Sequence, residues 1–87
     1  MKEPIIIDVR EPEEYARSHV KGALNIPPSE LMSGPDKLKN ISKDARIILY
    51  CISGSRSNMS KSILEGMGYK NVENGINQQQ VEAKLRA

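Results

Sequence analysis

The sequence predicts an α/β fold, a parallel sheet with helices on both faces. Three observations predict it. Short β-branched runs alternate along the chain with stretches of helical character. Those runs are apolar throughout instead of alternating with polar residues, as strands covered on both faces are. The chain has 87 residues, 38% of them hydrophobic and 28% charged, which suits one small globular domain over residues 1–87.

The elements follow in order. Ile5-Ile6-Ile7-Asp8-Val9 reads as a buried strand. Glu11-Pro12-Glu13-Glu14 opens a helix, with proline in the first turn and acidic side chains at the positive end. Gly22 keeps that helix short. Ala23 to Ile26 is a brief second strand, stopped by Pro27 and Pro28, which cannot donate to a ladder. Ser29 is the expected cap of a short helix from Glu30, ended by Ser33-Gly34-Pro35, and Asp36 to Ile41 adds a further helical turn. Ile47-Ile48-Leu49-Tyr50 is the strongest strand, with no breaker in it. After a polar loop, Ser57 or Asn58 starts a helix whose expected apolar face is Met59, Ile63, Leu64 and Met67, and Gly68 stops it. Tyr69 to Val72 is a fourth strand and Asn74-Gly75 a turn. Asn77 caps a last helix that buries Val81 and Leu85.

Composition excludes several classes. No apolar run approaches the ~18 residues of a membrane helix, and one cysteine cannot make an internal disulfide. The apolar run near the N-terminus, Ile5 to Ile7, is too short for a signal peptide, so a cytoplasmic protein is expected, or a periplasmic one if a leader precedes it. The net charge is only +2, and with three Tyr, no Trp and no Phe there are few rings for bases to stack on. No nucleic-acid or membrane partner is expected, and a monomer is.

A lone cysteine is most often a small buried hydrophobe. Position argues otherwise for Cys51. It ends the best strand, and a helix begins six or seven residues later. Ligands bind at that end of open α/β sheets. The segment between holds Gly54 and the small hydroxyl residues Ser53, Ser55 and Ser57. Such a loop can turn its N–H groups inward as an anion nest, which favours a thiolate nucleophile. Arg56 places a permanent positive charge at the rim. The pattern points to a nucleophilic thiolate facing an anionic substrate, with Ile52, Ser53, Gly54, Ser55, Arg56 and Ser57 as the binding loop. Cysteine phosphatases place five residues between cysteine and arginine. Here there are four, a tighter ring.

Two segments carry a family resemblance. The first is Asp8-Val9-Arg10-Glu11-Pro12-Glu13-Glu14-Tyr15, continuing through His19-Val20-Lys21-Gly22-Ala23-Leu24-Asn25-Ile26-Pro27. The second is Tyr50-Cys51-Ile52-Ser53-Gly54-Ser55-Arg56-Ser57 with its helix and Gly68-Tyr69-Lys70-Asn71-Val72. Together they resemble a single-domain rhodanese, similar in size to small bacterial members of the phage-shock type. The resemblance implies a rhodanese-like sheet of about five strands and a Cys51 persulfide. It also implies thiosulfate as sulfur donor, a thiophilic acceptor (cyanide, a thiol or an acceptor protein), and no metal or organic cofactor. Two departures stand out. Ser18 replaces a glycine common before the histidine, and Asn74-Gly75-Ile76-Asn77 replaces the usual Gly-Gly turn.

Other polar residues read as structural. His19 falls near the end of the first helix, where nothing places it as a base for Cys51, and the family resemblance gives the matching histidine a structural motif. Asp8 and Arg10 read as a polar pair organising a strand end. One Cys and one His do not make a zinc site. The expectation is a thiosulfate sulfurtransferase. The alternatives are a cysteine phosphatase or arsenate reductase, and a non-catalytic binding module on the same fold.

Overall fold

In the computed structural model, residues 3–86 are described. Strands β1 (Ile5–Asp8), β2 (Leu24–Asn25), β3 (Arg46–Cys51) and β4 (Asn71–Asn77) form one sheet in the order β2-β1-β3-β4. All pairings are parallel. Four strands stand close to the five expected. Helices α1 (Pro12–Arg17), α2 (Pro28–Met32), α3 (Ser55–Gly66) and α4 (Gln78–Arg86) connect or follow them, with a 3₁₀ turn over Asp36–Leu38.

The strand period of two sorts β3 between two cores. Ile47, Leu49 and Cys51 join Ile7, Leu31 and Leu64 on one face, and Ile48 and Tyr50 join Ile6, Val20 and Val81 on the other. Both faces are covered, by α2 and α3 on one side and by α4 on the other, as the unbroken apolar strands required. Among the described residues no helix is long and apolar enough to cross a membrane.

Four local readings need correction. Helix α2 begins at Pro28 with Pro27 as its N-cap, so Ser29 lies inside the first turn and caps nothing. Proline supplies the start, because its fixed φ suits the first turn and no N–H is needed there. Helix α3 begins at Ser55, earlier than Ser57 or Asn58. Gly54 is its N-cap at φ +95°, a left-handed turn that only glycine makes without strain, so the chain enters the helix at once. The inward face of α3 carries Ser57, Ser60 and Leu64, while Met59 is exposed. Ser60 satisfies its hydroxyl on the Arg56 carbonyl at 3.0 Å, one turn back, which lets a polar residue face the sheet.

The fourth concerns Asn74-Gly75. It lies within β4, which runs to Asn77 with a register shift opposite Leu49 to Cys51. Gly75 is there for closeness. A Cβ on it would sit 2.5 Å from Val81 Cγ2 and 2.8 Å from Ile48 Cγ2. The Asn77 cap is observed: its Oδ1 accepts the Gln80 N–H at 2.9 Å in the first turn of α4. Val81 is fully buried, whereas Leu85 is largely exposed.

Candidate active site

The carboxyl ends of β1, β3 and β4 meet around Cys51. Its register partner across β3 and β4 is Asn77, and Asp8 at the end of β1 pairs with Tyr50. A cavity of about 180 Å³ opens there, lined by Arg10, Cys51, Ile52, Asn77, Gln78 and Gln79. This is where an open parallel sheet binds ligands.

The loop wraps the sulfur. The Gly54 N–H donates to Cys51 Sγ at 3.1 Å, and Ser57 Oγ lies 3.4 Å from it. Burial raises the thiol pKa. The Ser57 hydroxyl and the N–H groups of Ser57, Gly54 and Ile52 outweigh burial and bring it below the ordinary thiol range. The Gly54 N–H and the Ser57 hydroxyl thus meet at one atom, the Cys51 sulfur.

Asn74 locks the loop from β4. Its Nδ2 donates to the Gly54 carbonyl at 2.9 Å, and its Oδ1 accepts from the Ile76 N–H at 3.0 Å. Ser57 Oγ lies 2.6 Å from that Oδ1, with one hydrogen to give either to it or to Sγ. Ile76 itself stands at φ +76°. Its side chain would touch any Cβ placed on Gly54, with Cγ2 at 3.5 Å.

The predicted loop residues part company in space. Ile52, Gly54 and Ser57 gather at the sulfur or its cavity. Ser53 and Ser55 are exposed and face each other, with Oγ atoms 3.4 Å apart. Arg56 turns to α1, where Nη1 and Nη2 donate to Glu14 Oε1 and Oε2 at 2.8 and 3.2 Å. That pairing holds the Glu14 pKa down at about 2. Arg56 is still near enough to Cys51 for their charges to interact.

Asp8 and Arg10 form a buried pair. Arg10 Nε donates to Asp8 Oδ1 at 2.9 Å and Nη2 to Oδ2 at 2.6 Å, while the Tyr50 hydroxyl donates to Oδ2 at 2.9 Å. Burial pushes the Tyr50 hydroxyl pKa up to about 12. His19 is away from the cavity. Its ring stacks on Tyr15 with centroids 3.7 Å apart, and Nδ1 meets the Tyr15 carbonyl at 2.8 Å.

Residues 1–78 match the Rhodanese-like domain. The chain belongs to the rhodanese family. It is 42% identical over 73 residues to the thiosulfate sulfurtransferase PspE of Escherichia coli strain K12, a match covering 78% of this chain and 64% of that protein. It is 31% identical over 68 residues to the thiosulfate sulfurtransferase GlpE of Pseudomonas entomophila, covering 78% of this chain and 60% of that one. The chain thus spans less than two thirds of either relative. Among solved structures, an E. coli rhodanese described with anions superposes with a TM-score of 0.79 at 37% identity, covering 90% of this chain and 91% of that one. A human single-domain sulfurtransferase superposes with a TM-score of 0.74 at 27% identity, covering 91% and 81%.

Within this rhodanese fold, sequence reasoning missed Glu14, Asn74, Gln78 and Gln79 at the site. It also missed that Arg10 shares a cavity with Cys51. A signal was present for Glu14: it sits in the acidic first turn of α1, in the same motif segment as Asp8 and Arg10.

Proposed function

We propose that this rhodanese is a sulfurtransferase in which Cys51 carries the sulfur. The observation that carries the reading is the Gly54 N–H donated to Cys51 Sγ at 3.1 Å, with Ser57 Oγ 3.4 Å from the same atom, beside a cavity at the sheet's carboxyl end. Donors fixed around a sulfur favour the thiolate before attack and an anionic terminal sulfur after it. In the first half-reaction the Cys51 thiolate attacks the outer sulfur of thiosulfate. An Sγ–S bond forms, the S–S bond of thiosulfate breaks, and its electron pair leaves with sulfite. In the second, the nucleophilic sulfur or carbon of an acceptor takes the terminal sulfur and returns the Cys51 thiolate. This is ping-pong covalent catalysis. Thiosulfate is the donor named for the PspE and GlpE relatives, and cyanide, a thiol or an acceptor protein serves as acceptor. Bound anions in the E. coli structure suit a donor of negative charge.

Residue roles follow from position. Cys51 is the nucleophile, and Ile52, Gly54 and Ser57 supply the donors around it. Ser53 and Ser55 form the outer edge of the loop, and Arg56 fixes that edge to α1 through Glu14. Intact mass after thiosulfate treatment tests the reading. One added sulfur atom is expected, removable by cyanide or dithiothreitol and absent in Cys51→Ser. No mass gain, with turnover of an aryl phosphate instead, would replace sulfur transfer by phosphatase chemistry.

A further inference from the structure

Of the two arginines beside Cys51, Arg56 has each terminal nitrogen on a Glu14 oxygen, and it is absent from the lining of the Cys51 cavity. Arg10 is in that lining. Its Nε and Nη2 bind Asp8, and Nη2 also donates to the Ser18 carbonyl at 2.7 Å. The Tyr50 ring lies under the guanidinium, 5.3 Å from centroid to Cζ. None of these bonds uses Nη1. Among the described residues every buried side-chain nitrogen and oxygen has a partner, so Nη1 is reached by solvent. The residue is thus 91% buried, and its guanidinium is held by Asp8, the Ser18 carbonyl and the Tyr50 ring. Its one N–H₂ group without a partner is solvent-reached, in a residue that lines the cavity of the nucleophile. Gln79, exposed in the first turn of α4, is an uncharged neighbour on the same lining.

We infer that Arg10 is the donor-positioning residue of this site: its free Nη1 holds the sulfonate oxygens of thiosulfate while the outer sulfur meets Cys51. The inference rests on the sulfurtransferase reading and extends it to substrate recognition. Arginine suits the task because its planar fork serves Asp8 with the Nε–Nη2 edge and still leaves Nη1 for an oxyanion. Asp8 sets the fork's orientation and stays with it in every state. Arg56, held to Glu14 and absent from the cavity lining, shapes the loop.

The test separates the two claims. Sulfate, a tetrahedral dianion that cannot transfer sulfur, is titrated against alkylation of Cys51 by iodoacetamide. Arg10→Lys keeps a cation for Asp8 but loses the unpartnered Nη1, and should weaken sulfate protection about tenfold or more. Gln79→Glu, on the exposed rim and clear of the Asp8 pair, should weaken it in the same direction by charge repulsion. Arg56→Gln should change it less than either. In turnover, Arg10→Lys should raise KM more for thiosulfate than for methanethiosulfonate, a donor with one charge and one oxygen fewer. Undiminished sulfate protection in both Arg10→Lys and Gln79→Glu, with loss in Arg56→Gln, would transfer the role to Arg56. If the native chain takes no sulfur from either donor, the sulfurtransferase reading fails, while sulfate protection still reports whether Arg10 binds the anion. Should Arg10→Lys not fold, Gln79→Glu alone decides, and undiminished protection there overturns the inference.

Discussion

Arg56 reaches back across 42 residues of chain to Glu14, and the two side chains close a bidentate pair at 2.8 and 3.2 Å. The pair ties the first turn of α3 to the first turn of α1. The Cys51 loop is thereby fixed at its outer edge as well as at the sulfur. Glu14→Gln removes the charge and keeps the shape. A half-exposed ion pair of good geometry contributes about 0.5–1 kcal/mol, so the variant should unfold slightly earlier at neutral pH. The Glu14 carboxyl falls from 4.5 to about 2 on folding, so its contribution is complete above the ordinary carboxylate range and is lost as pH falls through about 2. Urea midpoints of native and variant proteins should differ at pH 7 and converge toward pH 2. A constant difference across that range would mean that Glu14 acts by packing.

Ser57→Ala tests the source of thiolate stabilisation. The hydroxyl lies 3.4 Å from Sγ, and burial alone would raise the thiol pKa. Removing it leaves only N–H donors against burial, so the half-point of Cys51 alkylation should move to higher pH. In the native chain that half-point should lie below that of free cysteine measured beside it. An unshifted profile in Ser57→Ala would assign the whole effect to the backbone nest. The hydroxyl has one hydrogen to give to Sγ or to Asn74 Oδ1, 2.6 Å away, so Asn74→Ala is the control that leaves the hydroxyl to the sulfur.

Ile76 holds a β-branched side chain at φ +76°, where such residues are strained by about 1–3 kcal/mol. Its side chain is more than a third exposed, so replacement removes little buried area. Ile76→Gly relieves the strain and costs about 0.5–1 kcal/mol of added chain entropy. The variant should be as stable as the native chain or more so by about 1 kcal/mol, read from the urea midpoint. A loss above about 1 kcal/mol would show that Ile76 packing on the Gly54 loop outweighs its backbone.

Cys51 was legible because three local signals coincide: an unbroken strand, a glycine-containing polar loop, and a helix after it. The start of α3 was not, because Ser55 and Ser57 look like loop residues and the left-handed turn at Gly54 is invisible without φ. Its inner face was misread for a related reason. Periodicity counts apolar residues, and Ser57 and Ser60 face inward as polar ones satisfied by nearby oxygens. Asn74 and Glu14 act across 17 and 42 residues, so only the folded sheet brings them to the loop. Asn74-Gly75 has the chemistry of a turn. The contact that decides its place, Gly75 against Val81 and Ile48, is made by other elements.

That contact gives the sharpest stability test. Gly75→Ala would place a methyl 2.5 Å from Val81 Cγ2, 2.8 Å from Ile48 Cγ2 and 3.1 Å from the Leu49 carbonyl oxygen. Both side chains are fully buried, and the backbone oxygen belongs to an inner strand of the sheet. Overpacking of this kind costs about 1–3 kcal/mol. Each kcal/mol lowers Tm by about 4–8 °C in a domain of this size. Because Val81 belongs to α4, whose first turn carries Gln78 and Gln79 at the cavity, the displaced helix should also weaken sulfate protection of Cys51. Val81→Ala alone loses buried methyls and is destabilising too. The double variant Gly75→Ala with Val81→Ala should fall short of the sum of the two losses, since the new methyl enters the space that the valine leaves. Strict additivity in the double-mutant cycle would mean that the strain of Gly75→Ala is taken up against Ile48 or the β3 backbone, and that α4 does not move.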